Sequence, residues 1–171
     1  MVSFDKYTMN GDSMYPELKN EVEIIVSKIS KNLGTINRGD IIIFRANENY
    51  DYIKRLIGKP GDTVNYKDDS LYINGKKVEE PYLTINKELS SNNKITQDFK
   101  VNDISGSHGK KVIPNNKYLV LGDNRLISND SRSQVGLLDK EKIVGKAKIK
   151  ILPLSNFKYD FYPQPFNKVN N

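Results

Sequence analysis

Residues 143–152 carry the pattern that most restricts this fold: Ile143, Gly145, Ala147, Ile149 and Ile151 alternate with Val144, Lys146, Lys148, Lys150 and Leu152. A period of two sends neighbouring side chains to opposite faces of an extended chain, so this stretch reads as a strand with one apolar face and one largely lysine face. Val22, Ile24 and Val26 repeat the alternation, and residues 41–44 and 118–121 are apolar runs of the length expected for buried strands. Leu71-Tyr72-Ile73 leads into Asn74-Gly75, the dipeptide favoured in two-residue hairpin turns. No amphipathic helix and no internal repeat competes with this reading. The chain is expected to be mainly β.

Size and composition bound the rest. With 171 residues, 37% of them hydrophobic, the chain can bury one core, so a single domain is expected, with room for an appended lobe. Between Leu83 and Asn116 the composition turns to Lys, Asn, Ser and Asp, which suits an exposed loop or a small hairpin lobe. The Phe161-Tyr162-Pro163-Gln164-Pro165-Phe166 run is broken by proline and cannot continue a sheet. A formal charge of +6 suits an acidic partner without choosing between nucleic acid and anionic lipid. No apolar stretch approaches the roughly 18 residues needed to cross a bilayer. The opening Met1-Val2-Ser3-Phe4-Asp5 is strand-like and has no signal-peptide pattern.

The same composition narrows the available chemistry. There is no cysteine and a single histidine, His108, so a thiol nucleophile is excluded and few bases remain for a hydroxyl one. Ser13 in Gly11-Asp12-Ser13-Met14-Tyr15-Pro16 and Lys54 in Tyr52-Ile53-Lys54-Arg55 look like the halves of a serine–lysine dyad. Lysine can act as a base once burial has lowered its pKa enough to leave the amine neutral. Taken singly, Ser13 reads as a turn serine and Lys54 as a solvated strand lysine, and only the constellation of segments points to the dyad. In a strand, Lys54 and Arg55 point to opposite faces, so only one of them is expected to be buried.

Four segments, in order, carry a resemblance that covers the chain from Tyr7 to Pro153. They are Gly11-Asp12-Ser13-Met14-Tyr15-Pro16-Glu17-Leu18, Arg38-Gly39-Asp40-Ile41-Ile42-Ile43-Phe44, the run from Tyr52-Ile53-Lys54-Arg55 to Gly61-Asp62, and Gly122-Asp123-Asn124-Arg125-Leu126-Ile127-Ser128-Asn129-Asp130-Ser131-Arg132. Together they resemble the boxes of bacterial type I signal peptidases, most closely those of the Gram-positive branch. The resemblance implies a signal-peptidase-like β-sheet or barrel catalytic core, about residues 1–82 and 113–160, with a small polar insertion lobe at about 83–112. It also implies a serine endopeptidase that removes signal peptides from exported preproteins outside the cytoplasmic membrane. Such enzymes carry N-terminal membrane anchors that this sequence lacks, so the catalytic ectodomain is expected.

The resemblance also implies roles residue by residue. Ser13 falls at the nucleophile and Lys54 at the general base. Ser128 falls where a hydroxyl bonds to the lysine and aims it. Arg55, Asp123, Asp130 and Arg132 fall in a structural charge network, and Tyr7, Met9, Leu18, Tyr52 and Ile53 fall where pockets for small substrate side chains are lined. Gram-negative members place a serine hydroxyl two positions before the nucleophile; here that position is Gly11, which leaves the Ser13 backbone N–H to carry more of the oxyanion charge and also permits close backbone approach. The spacing of Asp123, Asn124, Asn129 and Asp130 does not make a calcium loop, so no metal or other cofactor is expected. The expected partners are preprotein signal peptides with small residues before the cut, and a membrane surface.

Two other readings remain open. Self-cleaving SOS-type repressors use a serine–lysine dyad, but they carry a helix-turn-helix DNA-binding module, and no such pair precedes Ser13, so no nucleic-acid partner is expected. A non-catalytic basic β-domain binding lipid or protein would keep the same fold without the chemistry.

Overall fold

The computed structural model describes residues 3–28 and 36–171. Its strands are Phe4–Thr8 (β1), Glu23–Lys28 (β2), Ile41–Arg45 (β3), Asp51–Gly58 (β4), Val64–Lys67 (β5), Ser70–Ile73 (β6), Lys76–Val78 (β7), Phe99–Lys100 (β8), Lys117–Leu121 (β9), Leu138–Asp139 (β10) and Ile143–Leu152 (β11). They form a seven-stranded sheet in the order β1-β2-β11-β3-β4-β9-β10 and a four-stranded sheet in the order β7-β6-β5-β8. Every pairing is antiparallel. The mainly β expectation therefore holds. Met1 and Val2, the first residues of the strand-like opening, lie outside the described residues.

The apolar runs are buried on both faces. Ile41 and Ile43 join a cluster with Met9, Met14, Leu18, Ile24 and Ile53, while Ile42 and Phe44 join one with Leu56, Tyr118 and Val120. The period of two is thus present in β3 but hidden, because both of its surfaces are covered. A third cluster, with Ile57, Val64, Leu71, Ile73, Val101 and Leu119, seals the smaller sheet against β4 and β9. The Asn74-Gly75 turn forms as expected: Ile73 faces Lys76 across β6 and β7, and both turn residues take positive φ, 51° and 78°.

Two expectations from alternation fail, for different reasons. In β11 the register shifts between Ala147 and Ile149 where it pairs with β2, a bulge that exchanges the faces. Beyond it Lys150 is buried, while Ile149 and Ile151 are only half-buried. In β4 both Lys54 and Arg55 are buried, at 4% and 0% exposure, contrary to the expectation of one. They do point to opposite faces, but each face is covered there: the turn carrying Ser13 packs over Lys54, and Asp123 and Tyr82 pack against Arg55.

The smaller sheet begins at Val64, ahead of the change in composition at Leu83. The polar segment after Leu83 also contributes buried residues, Leu83, Ile95, Val101 and Ile104, and pairs β8 with β5. It contains a short helix at Thr84–Leu89 (α1), which periodicity did not disclose because six residues are too few to show a 3.6-residue pattern. After β11 the chain leaves the sheets, burying Phe161 and Phe166 before a one-turn helix at Asn167–Asn170 (α2). Among the described residues no helix is long and apolar enough to cross a membrane.

Candidate active site

Ser13 lies in the turn after β1 and Lys54 in the middle of β4. The turn is folded back onto the sheet by Met14 and Leu18, both fully buried beneath it. This brings Lys54 Nζ within 2.8 Å of Ser13 Oγ, across 41 residues of sequence. The amine also reaches the Ile53 carbonyl at 3.2 Å and lies 5.1 Å from the centre of the Tyr52 ring. None of its hydrogen-bond partners is a carboxylate. Burial pushes the Lys54 pKa from 10.5 down to about 8, against an upward pull from Asp130 and Asp123. A protonated amine donates to the hydroxyl here; a neutral one accepts its proton.

Those two carboxylates are already committed to arginines. Arg55 grips Asp123 with two parallel bonds, Nε to Oδ1 at 2.9 Å and Nη2 to Oδ2 at 2.7 Å, and gives its remaining nitrogen to the carbonyls of Gly39 and Phe161. Burial works against the guanidinium charge, and Asp123 overrides it, holding the pKa above its ordinary value. Arg132 contacts both oxygens of Asp130 at 2.9 Å, and the Gly122 N–H donates to Oδ2 at 2.9 Å. Burial would raise the Asp130 pKa, but the Arg132 bond lowers it.

The segment from Gly122 to Arg132 closes over the turn carrying Ser13 so tightly that Gly122 has no room for a side chain. A Cβ there would lie 2.0 Å from Ser128 Oγ and 2.6 Å from the Ser13 carbonyl oxygen. Ser128 Oγ is buried and has no hydrogen-bond partner among the described residues, so the bond to Lys54 implied by the resemblance is not formed in this conformation. Gly11 also departs from expectation. It has φ of 86° and nothing within 4 Å of a built Cβ, so the turn needs glycine for its backbone angle and not for close approach. Gly11 N–H donates to Asn20 Oδ1 at 2.7 Å. Ser13 N–H donates to no described residue.

A groove of about 330 Å³ opens on the dyad. Tyr7, Met9, Tyr52 and Ile53 line it together with Ser13 and Lys54, and its far wall includes Ile127 and Asn129. Leu18 does not line it: that side chain is fully buried in the cluster beneath the turn, which corrects the pocket position implied for it. No group of three or more potential metal ligands occurs among the described residues.

Comparison with known proteins gives the family. Residues 1–152 match the family described as signal peptidase, peptidase S26. The chain belongs to that family. It is 48% identical over 159 residues to signal peptidase IB of Staphylococcus aureus strain MRSA252, covering 92% of this chain and 83% of that protein. It is 44% identical over 158 residues to signal peptidase I of Bacillus caldolyticus, covering 92% and 85%. The crystal structure of a signal peptidase I from Enterococcus faecalis V583 superposes with a TM-score of 0.60 at 41% identity, over 66% of this chain and 96% of that one. The fold and the family expected from the four segments are therefore correct.

Several residues that brace this region were given no role by the sequence, although Asn124 and Arg125 stand in the fourth segment. Arg125 is buried with Glu80 at 2.6 Å, and Nε of Arg125 donates to the Gly122 carbonyl at 2.8 Å. The hydroxyls of Tyr66 and Tyr82 donate to the same Glu80. Asn86 and Asn124 bond to backbone carbonyls of the turn carrying Ser13. Glu80 and Asn86 are far along the chain from the segments they brace, and only the tertiary fold reveals the pairing.

Proposed function

We propose that this chain removes signal peptides from exported preproteins, with Ser13 as nucleophile and Lys54 as general base. The observation that carries the assignment is the 2.8 Å approach of the Lys54 amine to the Ser13 hydroxyl at the floor of an open groove. In the neutral form the amine takes the hydroxyl proton as Oγ attacks the scissile carbonyl. The tetrahedral oxyanion accepts from the Ser13 N–H, which is otherwise unengaged among the described residues. Lys54 then returns its proton to the departing amine and leaves an acyl-serine. A water that gives its proton to Lys54 hydrolyses that ester and regenerates the dyad.

Ser128 supports this cycle by offering a nearby buried hydroxyl to the ammonium that forms, an arrangement for which its unpaired Oγ is available. Arg55, Asp123, Asp130 and Arg132 act as scaffold. Tyr7, Met9, Tyr52 and Ile53 give the groove bulky apolar walls, which suit small side chains before the cut and exclude large ones. The catalytic unit is one domain with a polar lobe, set in the natural protein at the membrane on its extracytoplasmic side. The repressor-type reading gains nothing: the described α-helices have six and four residues and form no DNA-reading pair.

The test is cleavage of a labelled peptide spanning a signal-peptide junction, with product masses locating the cut. Ser13→Ala and Lys54→Ala should each abolish cleavage while retaining the fold by circular dichroism. Full activity in either variant removes the mechanism.

A further inference from the structure

The backbone of the nucleophile turn is held from behind by two asparagines. The Asp12 carbonyl accepts from Asn124 Nδ2 at 3.0 Å and from the Tyr15 N–H at 3.0 Å. The Ser13 carbonyl accepts from the Asn124 N–H at 3.0 Å. One turn residue further, the Tyr15 carbonyl accepts from Asn86 Nδ2 at 2.8 Å, and the same amide nitrogen reaches the Asp123 carbonyl at 3.1 Å. Asn124 comes from the segment that covers the dyad and Asn86 from α1 in the polar lobe, so the turn is tied to two separate parts of the fold.

A trans peptide unit is planar, and its C=O and N–H point in opposite directions. The carbonyl of Asp12 and the N–H of Ser13 belong to one such unit. Fixing the carbonyl on Asn124 therefore fixes the direction of the N–H, the donor assigned above to the oxyanion. Such a donor must be preorganised, because a group that has to rotate into place during the reaction returns part of what it stabilises.

We propose that Asn124 is a positioning residue that aims the Ser13 N–H through the Asp12–Ser13 peptide plane, and that Asn86 braces the same turn from the polar lobe. The inference rests on the reading of Ser13 as nucleophile. It gives the lobe a part in catalysis at a distance, since no residue of α1 lines the groove. Removing the Asn124 amide loosens the donor without altering the surroundings of Lys54. The loss is in transition-state stabilisation, so it falls on kcat and on kcat/KM alike, with KM little changed. A donor lost outright from such a site costs about 100- to 1,000-fold, and a loosened one less, so a fall of about 10-fold or more is expected.

The experiment compares wild type, Asn124→Ala, Asn124→Asp, Asn86→Ala and Ser13→Ala in peptide cleavage across pH, together with amide hydrogen exchange at Ser13 in the first four. Asn124→Asp keeps the side-chain shape and so guards against a variant that merely misfolds. The proposal expects about 10-fold or greater loss of kcat in both Asn124 variants and a smaller loss in Asn86→Ala. It also expects KM within about twofold, a pH limb unmoved in Asn124→Ala and Asn86→Ala, and faster exchange at the Ser13 amide. Unchanged Ser13 exchange in both Asn124 variants overturns it, as does a fall in activity that matches the loss of folded protein. If the wild type does not cleave, or Ser13→Ala cleaves as well as wild type, the peptidase assignment fails instead, and the exchange data still decide whether Asn124 holds the turn.

Discussion

Replacing Lys54 with methionine should stabilise the protein at neutral pH and remove most of that advantage at alkaline pH. In the folded state burial brings the amine's pKa from 10.5 to about 8. At about 1.4 kcal/mol per pH unit, holding this lysine charged inside the fold costs about 3 kcal/mol relative to the unfolded chain. The sign follows from proton counts: between pH 8 and 10.5 the unfolded state keeps its proton while the folded state has lost it, so stability rises with pH across that window. The penalty is complete below pH 8 and is relieved as pH climbs toward 10.5. Between pH 6 and pH 10 the relief is about 2.5 kcal/mol. Lys54→Met carries no such penalty at any pH, and what it loses in contacts to Ser13 and Ile53 does not titrate. Other titrating groups are common to both proteins and cancel in the difference. Urea unfolding of the two proteins at pH 6 and pH 10, followed by far-ultraviolet circular dichroism, measures the gap directly. The gap should move by about 2.5 kcal/mol against Lys54→Met as pH rises. A gap that stays constant within about 0.5 kcal/mol would refute the claim that burial depresses this amine.

Further outcomes follow from the same geometry. The acid limb of kcat/KM should have its midpoint near the Lys54 value of about 8, with about a tenth of the limiting rate at pH 7, and His108→Gln should leave that limb in place; a midpoint near 10 would mean a solvated amine. Asp123→Asn strands the Arg55 cation in the core and should cost about 3–5 kcal/mol in urea unfolding, whereas a loss below 1 kcal/mol would show that the pair is not buried as described. Gly122→Ala should abolish cleavage and lower the melting temperature, because its methyl group meets Ser128 and the Ser13 carbonyl; wild-type cleavage would contradict that packing. Arg132→Gln takes the cation from Asp130 while leaving its carboxylate near Lys54, so the kinetic limb should move above pH 8; an acid shift would show that Asp130 does not act on the amine.

The sequence made the strands and the segments around Ser13 and Lys54 legible for one reason: both depend on short-range patterns. Val22, Ile24 and Val26 fall on one face in any extended chain, and Asn74-Gly75 forms its turn from its own two positive φ angles. The four segments likewise kept Ser13 and Lys54 in recognisable settings. What failed depended on partners remote in sequence. The bulge in β11 is a property of its pairing with β2, so nothing in the alternating run announces that Lys150 turns inward. The burial of both Lys54 and Arg55 needs a covering layer on each side of β4. Leu18 has the chemistry of a pocket wall and the position of a core residue, and only the folded turn separates the two. Asn86 sits in a segment whose polar composition suggests a solvated loop, yet its amide is buried against Tyr15 and Asp123.

Lys54 and Arg55 show how one strand can give adjacent cations opposite fates. Both are taken out of water, and the cost of burying a charge is severe in either case. Arg55 meets a carboxylate in matched geometry, so its charge is kept and the pair becomes a strut between β4 and the segment carrying Asp123. Lys54 meets a hydroxyl and a carbonyl, neither of which can neutralise an ammonium, so the amine gives up its proton more readily. The difference is maintained by what the neighbouring acids are doing. Asp123 is occupied by Arg55, and Asp130 by Arg132, so each carboxylate that could have held Lys54 in its charged form has a closer cation. On the proposed mechanism the arginines would serve the chemistry without touching the substrate: by engaging the acids, they leave the lysine weakly basic enough to be neutral at modest pH and still basic enough to take a proton from serine.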